Sequence, residues 1–433
     1  MSKKIGLLTV TALVIGSQVG AGVFLLPASL APFGSLALAG WGVSSIGAIL
    51  LALIFGKLCM NIPKAGGPHV YVNAAFGRKA AFFTAWAYWI VSWTSNIAVI
   101  TAAVSYLRPL LGHTSQTTNL ILELFFFIIL TWVNLKGAVF AGIIEIILTI
   151  LKCIPLIIIP IAGLYYFDVN NLSPLNPSNA PSLEIINKST VLTFWAFLGL
   201  ESATANANII DNPKKTVPLA VIYGTIGVAV LYALNSISIM GLLPNNVLLN
   251  SGAPYVDATT ALFGHGWDTT IAIIAFLACI GTLNAWILTS GQIAYGAAKD
   301  QLFPEIFAKS NKYNAPSNSL IIAFIGTIPL LMMTINDNLV NQLNMIVDAA
   351  VPIFLGVYAI CMLSFIKLYH KDNKTYTIIA LIAMIFSLWV ICYSSWINFA
   401  IAGAIVLSGI PIYALNKNSH KKIQSDSTKA SLK

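Results

Sequence analysis

Residues 217–243 read VPLAVIYGTIGVAVLYALNSISIMGLL, without one charged side chain. At 1.5 Å per residue, about 20 such residues in a helix cross the roughly 30 Å of bilayer hydrocarbon. Comparable runs recur at 6–30, 36–58, 81–107, 119–137, 140–165, 190–210, 216–243, 270–298, 318–335, 341–368, 375–394 and 396–415. Twelve such spans predict an all-α integral membrane protein. Composition agrees: 58% of residues are hydrophobic and 9% charged, against roughly 25% charged in soluble domains. No soluble domain is expected beside the spans.

The opening MSKKIGLLTVTALVIG resembles a signal peptide, with lysines before an apolar run, but the run continues beyond Gly22 and eleven spans follow. It reads as an uncleaved first helix. With both termini on one side, 20 of the 23 Lys and Arg fall on that side, leaving Arg108 and Lys188 opposite and Lys152 inside a span. The positive-inside rule makes that side cytoplasmic. The net charge of +9 then records topology and attraction to anionic lipid, and implies no nucleic-acid partner. The basic segment 416–433 is expected to be a solvated, disordered cytoplasmic tail. Five cysteines and five histidines are dispersed, with no CxxC spacing, so no metal, cofactor or Cys/His nucleophile is expected.

Two spans are interrupted in a similar way. The first contains Gly16-Ser17-Gln18-Val19-Gly20-Ala21-Gly22, and the sixth contains Gly199-Leu200-Glu201-Ser202. Glycine at these positions disfavours a continuous helix. Gly16-xxx-Gly20 also fits a close helix contact between small residues. A carboxylate at the matching place in span 6 favours unwinding. Breaks five spans apart suggest a five-plus-five inverted repeat, 6–165 and 190–368, whose discontinuous helices form a midplane binding site, with 375–415 outside it.

Glu201 is costly in lipid unless it is paired, protonated or wetted, and it is therefore a functional candidate, although a carboxyl tying span 6 to its neighbours would look the same. Trp195 and Trp286 offer indole faces to a cation, or serve packing. In span 3, Tyr88, Ser92, Ser95 and Val99 recur at helical spacing beside Asn96, where polar groups can also simply join helices. Lys152 lies too deep in span 5 to snorkel. Glu145, about 10 Å away along the helix, is too far to pair with it, so the carbonyls of a broken helix are the better partners. Asp348, nearer the start of span 10, fits a wall, a gate or the interface.

The stretches Gly16–Pro27, Trp195–Ala203, Asn212-Pro213-Lys214-Lys215 and Leu302-Phe303-Pro304 resemble the basic amino acid/polyamine antiporters of the amino acid-polyamine-organocation superfamily. The resemblance covers nearly the whole chain. It implies a LeuT-type fold with alternating access, often in a homodimer. By position, it implies that Trp195 stacks on a cationic side chain and that Trp286 forms an inner wall. Asn96, Ser92 and the backbone near Val91 would meet the cationic head. The N–H groups of Ala21 and Gly22 would hold a carboxylate, with carbonyls of Gln18, Trp195 and Leu198 taking an α-amine. Glu201, Tyr88 and Tyr358 would form an outer gate.

The chain departs from that pattern at several places. Ala21 and Ser17 replace a serine and an asparagine of the arginine/agmatine members, Ser92 and Val99 a cysteine and a methionine, Ala350 a serine, and His69 a tyrosine implicated in acid sensing. Substrate identity is the property these changes bear on. Lys152 resembles instead a lysine of other superfamily members, placed where sodium sits in sodium-coupled relatives, which implies transport without sodium.

The combined expectation is an inner-membrane antiporter exchanging a cationic amino acid for a related amine or amino acid. The rival is a proton-coupled symporter of neutral or mixed amino acids using Lys152 in place of sodium. A channel would want a continuous polar pore, and an enzyme or scaffold would want a catalytic cluster. Neither pattern is present in the sequence.

Overall fold

The structure is a computed structural model. It describes residues 6–431 other than 65, 113, 206–209 and 336–337, with side chains at all of these except 9, 13, 21, 138–146, 149, 205 and 417–431. The chain folds into helices α1 (Leu7–Gln18), α2 (Ala21–Leu30), α3 (Leu38–Asn61), α4 (Pro68–Thr94), α5 (Asn96–Ser105), α6 (Arg108–Leu111), α7 (Gln116–Leu135), α8 (Ala138–Tyr165) and α9 (Ser182–Trp195). These are followed by α10 (Ser202–Ala205), α11 (Pro213–Leu242), α12 (Asn245–Asn250), α13 (Pro254–Phe263), α14 (Asp268–Lys299), α15 (Ser317–Thr334), α16 (Leu339–Tyr369), α17 (Lys374–Cys392) and α18 (Trp396–Ser431).

Among the described residues, ten helical segments are long and apolar enough to cross a membrane, with a shorter apolar one at Ile150–Tyr165. The remaining expected span, 190–210, is divided between α9 and α10. Helix starts follow local chemistry. The side chains of Ser115, Asn338 and Asn373 accept backbone N–H groups in the first turns of α7, α16 and α17, satisfying donors that have no intrahelical partner. Pro213 occupies the first turn of α11, where its missing N–H costs nothing.

Three regions differ from the sequence expectation. α4 begins at Pro68, ahead of 81, because residues 68–76 are helical before a bend at Gly77. The connection before span 8 folds into α12 and α13. The backbone of α18 stays helical to Ser431, where a disordered tail was expected. No Gly or Pro follows Pro411 to stop it.

The core gathers around the two breaks. α3 and α11 pack along one another, α1 lies on α11, and α14 touches α4, α5 and α8. α17 and α18 keep apolar side chains such as Leu388, Phe399 and Leu407 exposed, as lipid-facing helices do. Trp86 pins α18 to α4 by donating to the Ile405 carbonyl at 3.1 Å and Ser408 Oγ at 3.0 Å.

Candidate substrate site at the helix breaks

α1 ends at Gln18, and Val19 and Gly20 leave helical geometry before α2 starts. An interruption here frees carbonyls that lipid cannot hydrate. Side chains from three other helices reach them. Lys152 Nζ on α8 donates to the Gly16 carbonyl at 2.7 Å, Tyr232 on α11 to the Gln18 carbonyl at 2.8 Å, and Thr282 on α14 to the Val19 carbonyl at 3.0 Å. The glycines serve both purposes weighed from the sequence. The helix is broken, and Gly20 is also a close contact, since a Cβ there would lie 2.2 Å from Thr282 Oγ1.

The second break faces the first. Gly199 has φ +97°, a left-handed conformation that favours glycine. Ser17 Oγ bridges the two breaks, 3.1 Å from the Gly199 carbonyl and 2.9 Å from Ser202 Oγ. Two residues after Gly199, Glu201 is 1% exposed. The Tyr88 hydroxyl donates to its Oε1 at 2.5 Å and that of Tyr358 to its Oε2 at 2.6 Å. The three residues expected at a gate therefore form one cluster, drawn from α4, the α9–α10 break and α16.

Between the breaks lies a small cavity bordered by Ser17, Gln18, Gly22, Asn96, Trp195, Leu198 and Trp286, all expected at the site. Ser95, Val99, Ala196, Thr282 and Phe354 complete the lining. Gln18 Oε1 and Asn96 Oδ1 are buried with no hydrogen-bond partner in the protein. Both are acceptors on the cavity wall. The Ala21 and Gly22 N–H groups open α2, where a helix start favours an anion. A Cβ on Gly22 would come within 3.2 Å of the Trp195 ring and the Ala196 backbone, so the bare glycine lets the indole lie against the break.

Not every expected residue reaches the cavity. Ser92 Oγ turns back to the Trp89 carbonyl at 2.7 Å, and the Val91 carbonyl accepts Ser95 Oγ at 2.6 Å and Thr94 Oγ1 at 3.2 Å. Neither borders the cavity. In their place Ser95, at the joint between α4 and α5, and Val99, one turn on, face it. Of the carbonyls expected to take an amine, that of Gln18 already receives Tyr232 and that of Trp195 receives the Leu198 N–H at 3.2 Å. Asp348 is exposed and outside the cavity lining, and Glu145 falls outside the described side chains.

The chain matches the family model for amino acid permeases over residues 5–417. It is 31% identical to the putrescine transporter PotE of Escherichia coli over 423 residues, 96% of each chain. The chain belongs to the amino acid permease family. The permease is also 32% identical to PotE of Haemophilus influenzae, over 94% of this chain and 95% of that one. It is 31% identical to the cadaverine/lysine antiporter of Escherichia coli, over 77% of this chain and 75% of the relative.

Phe354 is a residue of the permease site that nothing in the sequence singles out. Its ring lies 5.8 Å from Tyr88, 5.8 Å from Trp286 and 6.4 Å from Tyr358, linking the carboxylate cluster to the cavity. One phenylalanine among 22 carries no local signal. Tyr358 is one turn on along α16, but Tyr88 and Trp286 come from α4 and α14, which only the fold brings to it.

Far from the cavity, the Gly66-Gly67-Pro68-His69 turn meets the end of α14. Lys64 Nζ lies 2.9 Å and the buried His69 Nε2 3.6 Å from the Asp300 carboxylate. The His69 imidazole and the Lys64 ammonium hold the Asp300 carboxyl below its ordinary range.

Proposed function

We propose that this permease is an antiporter of the cytoplasmic (inner) membrane, with both termini on the cytoplasmic side, that exchanges a cationic amino acid for a related amine or amino acid by alternating access. The observation carrying this reading is the cavity at the two breaks, with indoles at Trp195 and Trp286, an unpartnered acceptor at Asn96 Oδ1, and the start of α2 open beside them. Similarity to a putrescine transporter and a cadaverine/lysine antiporter supports amines and cationic amino acids as the cargo.

In this reading the Ala21 and Gly22 N–H groups receive the substrate carboxylate. The α-amine donates to the Leu198 carbonyl and to Gln18 Oε1, whose own carbonyl is already engaged by Tyr232. The cationic side chain lies against Trp195 and Trp286 and reaches Asn96. Val91 and Ser92 support the α4–α5 joint behind it. Tyr88, Tyr358 and Glu201 act as a gate that opens when the two Glu201 hydrogen bonds part. Lys152 stands where a coupling cation would otherwise neutralise the α1 carbonyls. The inverted repeat and a homodimer belong to the same proposal.

Counterflow in proteoliposomes tests it. External lysine, ornithine, putrescine or cadaverine should accelerate efflux of preloaded labelled substrate. Uptake driven by a proton gradient with no such acceleration would instead establish the symporter of neutral or mixed amino acids.

A further inference from the structure

Asn96 borders two cavities. Behind the one already described lies a second, smaller one, with room for a group about the size of a water molecule, where α4 and α5 meet α7, α14 and α15. Its wall includes Trp93, Asn96, Phe127, Thr131, Phe324 and Thr327. Helical spacing explains the convergence. Trp93 and Asn96 are three apart, Phe127 and Thr131 four apart on α7, and Phe324 and Thr327 three apart on α15, so each pair presents one face.

The polar groups of this wall are unevenly satisfied. Thr327 Oγ1 turns back to the Ala323 carbonyl at 2.9 Å. Thr131 Oγ1 and Asn96 Oδ1, on residues 6% and 1% exposed, have no hydrogen-bond partner in the protein. Leaving a buried acceptor unmet costs about 1–3 kcal/mol. Two such acceptors among three aromatic residues suit a ligand that donates several hydrogen bonds and carries positive charge. Two turns before Thr131 on the same face of α7 is the buried Glu123, which accepts from Thr101 at 3.0 Å.

We infer that the cavity behind Asn96 is a distal subsite that receives the terminal primary ammonium of the transported amine, with Thr131 Oγ1 and Asn96 Oδ1 as acceptors and Trp93, Phe127 and Phe324 as the aromatic surround. It rests on the exchange reading and deepens it. The first cavity recognises the shared α-carbon end of the cargo. The second measures whether the far end is charged and long enough to pass Asn96.

The test compares ligands that differ only at the far end, lysine against norleucine and ornithine against norvaline, by calorimetric binding to the purified full-length protein. Thr131→Val keeps the shape and removes the acceptor. It should weaken the amine-bearing ligand of each pair about tenfold, as expected for a hydrogen bond to a charged group, and leave its apolar twin unchanged. Thr131→Ser should restore binding. Ala323→Leu, which fills the cavity without touching Thr131 chemistry, should exclude lysine more than ornithine, and it keeps the test open if the valine variant fails to fold. Unchanged ligand ratios in both variants, with lysine/cadaverine counterflow intact in the wild type, would overturn the subsite and leave the exchange reading standing. A wild type that binds none of lysine, ornithine, putrescine and cadaverine would overturn both.

Discussion

The Lys152 ammonium sits 2.7 Å from the carbonyl oxygen of Gly16, with the lysine fully buried. A hydrogen-bond donor on a neighbouring helix thus occupies the first break. Exchange rates should therefore be the same in sodium and in choline buffers. Strict sodium dependence in proteoliposomes would sink this role for Lys152. Lys152→Met should lower thermal stability, since it leaves the Gly16 carbonyl unmet at a cost of about 1–3 kcal/mol.

The two hydroxyls on Glu201 divide its oxygens between α4 and α16. Tyr88→Phe and Tyr358→Phe should each slow exchange by loosening one side of the clamp while the protein still folds. Glu201→Gln should be more damaging than either, because an amide nitrogen replaces one of the acceptors. Exchange rates of all three variants at wild-type levels would remove these residues from the gate.

Trp195 presses against the first break at Gly22 and borders the cavity. Trp195→Leu keeps an apolar side chain but loses the ring face. Losing the indole contact with about two methylenes of the lysine stem, roughly 0.8 kcal/mol each, should weaken lysine binding about tenfold. Titration of the variant measures this directly, and an unchanged affinity would move the side-chain stem off the indole.

Gly20→Ala places a methyl within 2.2 Å of Thr282 Oγ1. Overpacking of this kind costs about 1–3 kcal/mol, and melting temperature and exchange should fall together. Adding Thr282→Ala should recover only part of the loss. It relieves the clash with Oγ1 and Cγ2 but leaves Cβ close by and deprives the Val19 carbonyl of its donor.

Where the Gly66–His69 turn meets the end of α14, the prediction concerns pH. Asp300 is held below the ordinary carboxylate range by His69 and Lys64, so its stabilisation is present above the unfolded-state value and is lost as pH falls through the folded-state value. Asp300→Asn should melt below the wild type at neutral pH, and the two curves should converge below about pH 4. A gap that persists undiminished in acid would show that the carboxylate charge contributes nothing.

How much of this was legible in the residues depended on whether the signal was local. Lengths of apolar run located the spans, and the combination of Gly199 with Glu201 located a break, because both are properties of a few consecutive residues. The cluster of Tyr88, Tyr358 and Glu201 was readable only through resemblance, since the tyrosines lie far from Glu201 in sequence. Ser92 and Val91 were misplaced for a related reason. Near the α4–α5 joint a small change of helical phase decides whether Ser92 or Ser95 faces inward, and hydroxyls that bond back to their own helix shift that phase. Tyr232, Thr282 and Phe354 gave no sign at all, because what distinguishes them is the helix each happens to meet.

The first break also bears on how this sequence is free to change. Gly16, Gln18 and Val19 present carbonyls that water would satisfy at a loop, and here Lys152, Tyr232 and Thr282 take the place of that water. The segment carries a solvation shell encoded at three distant positions. A lineage that closed the break into a regular helix would release all three side chains from constraint at once, whereas a lineage that kept it would have to replace each only with another donor of similar reach.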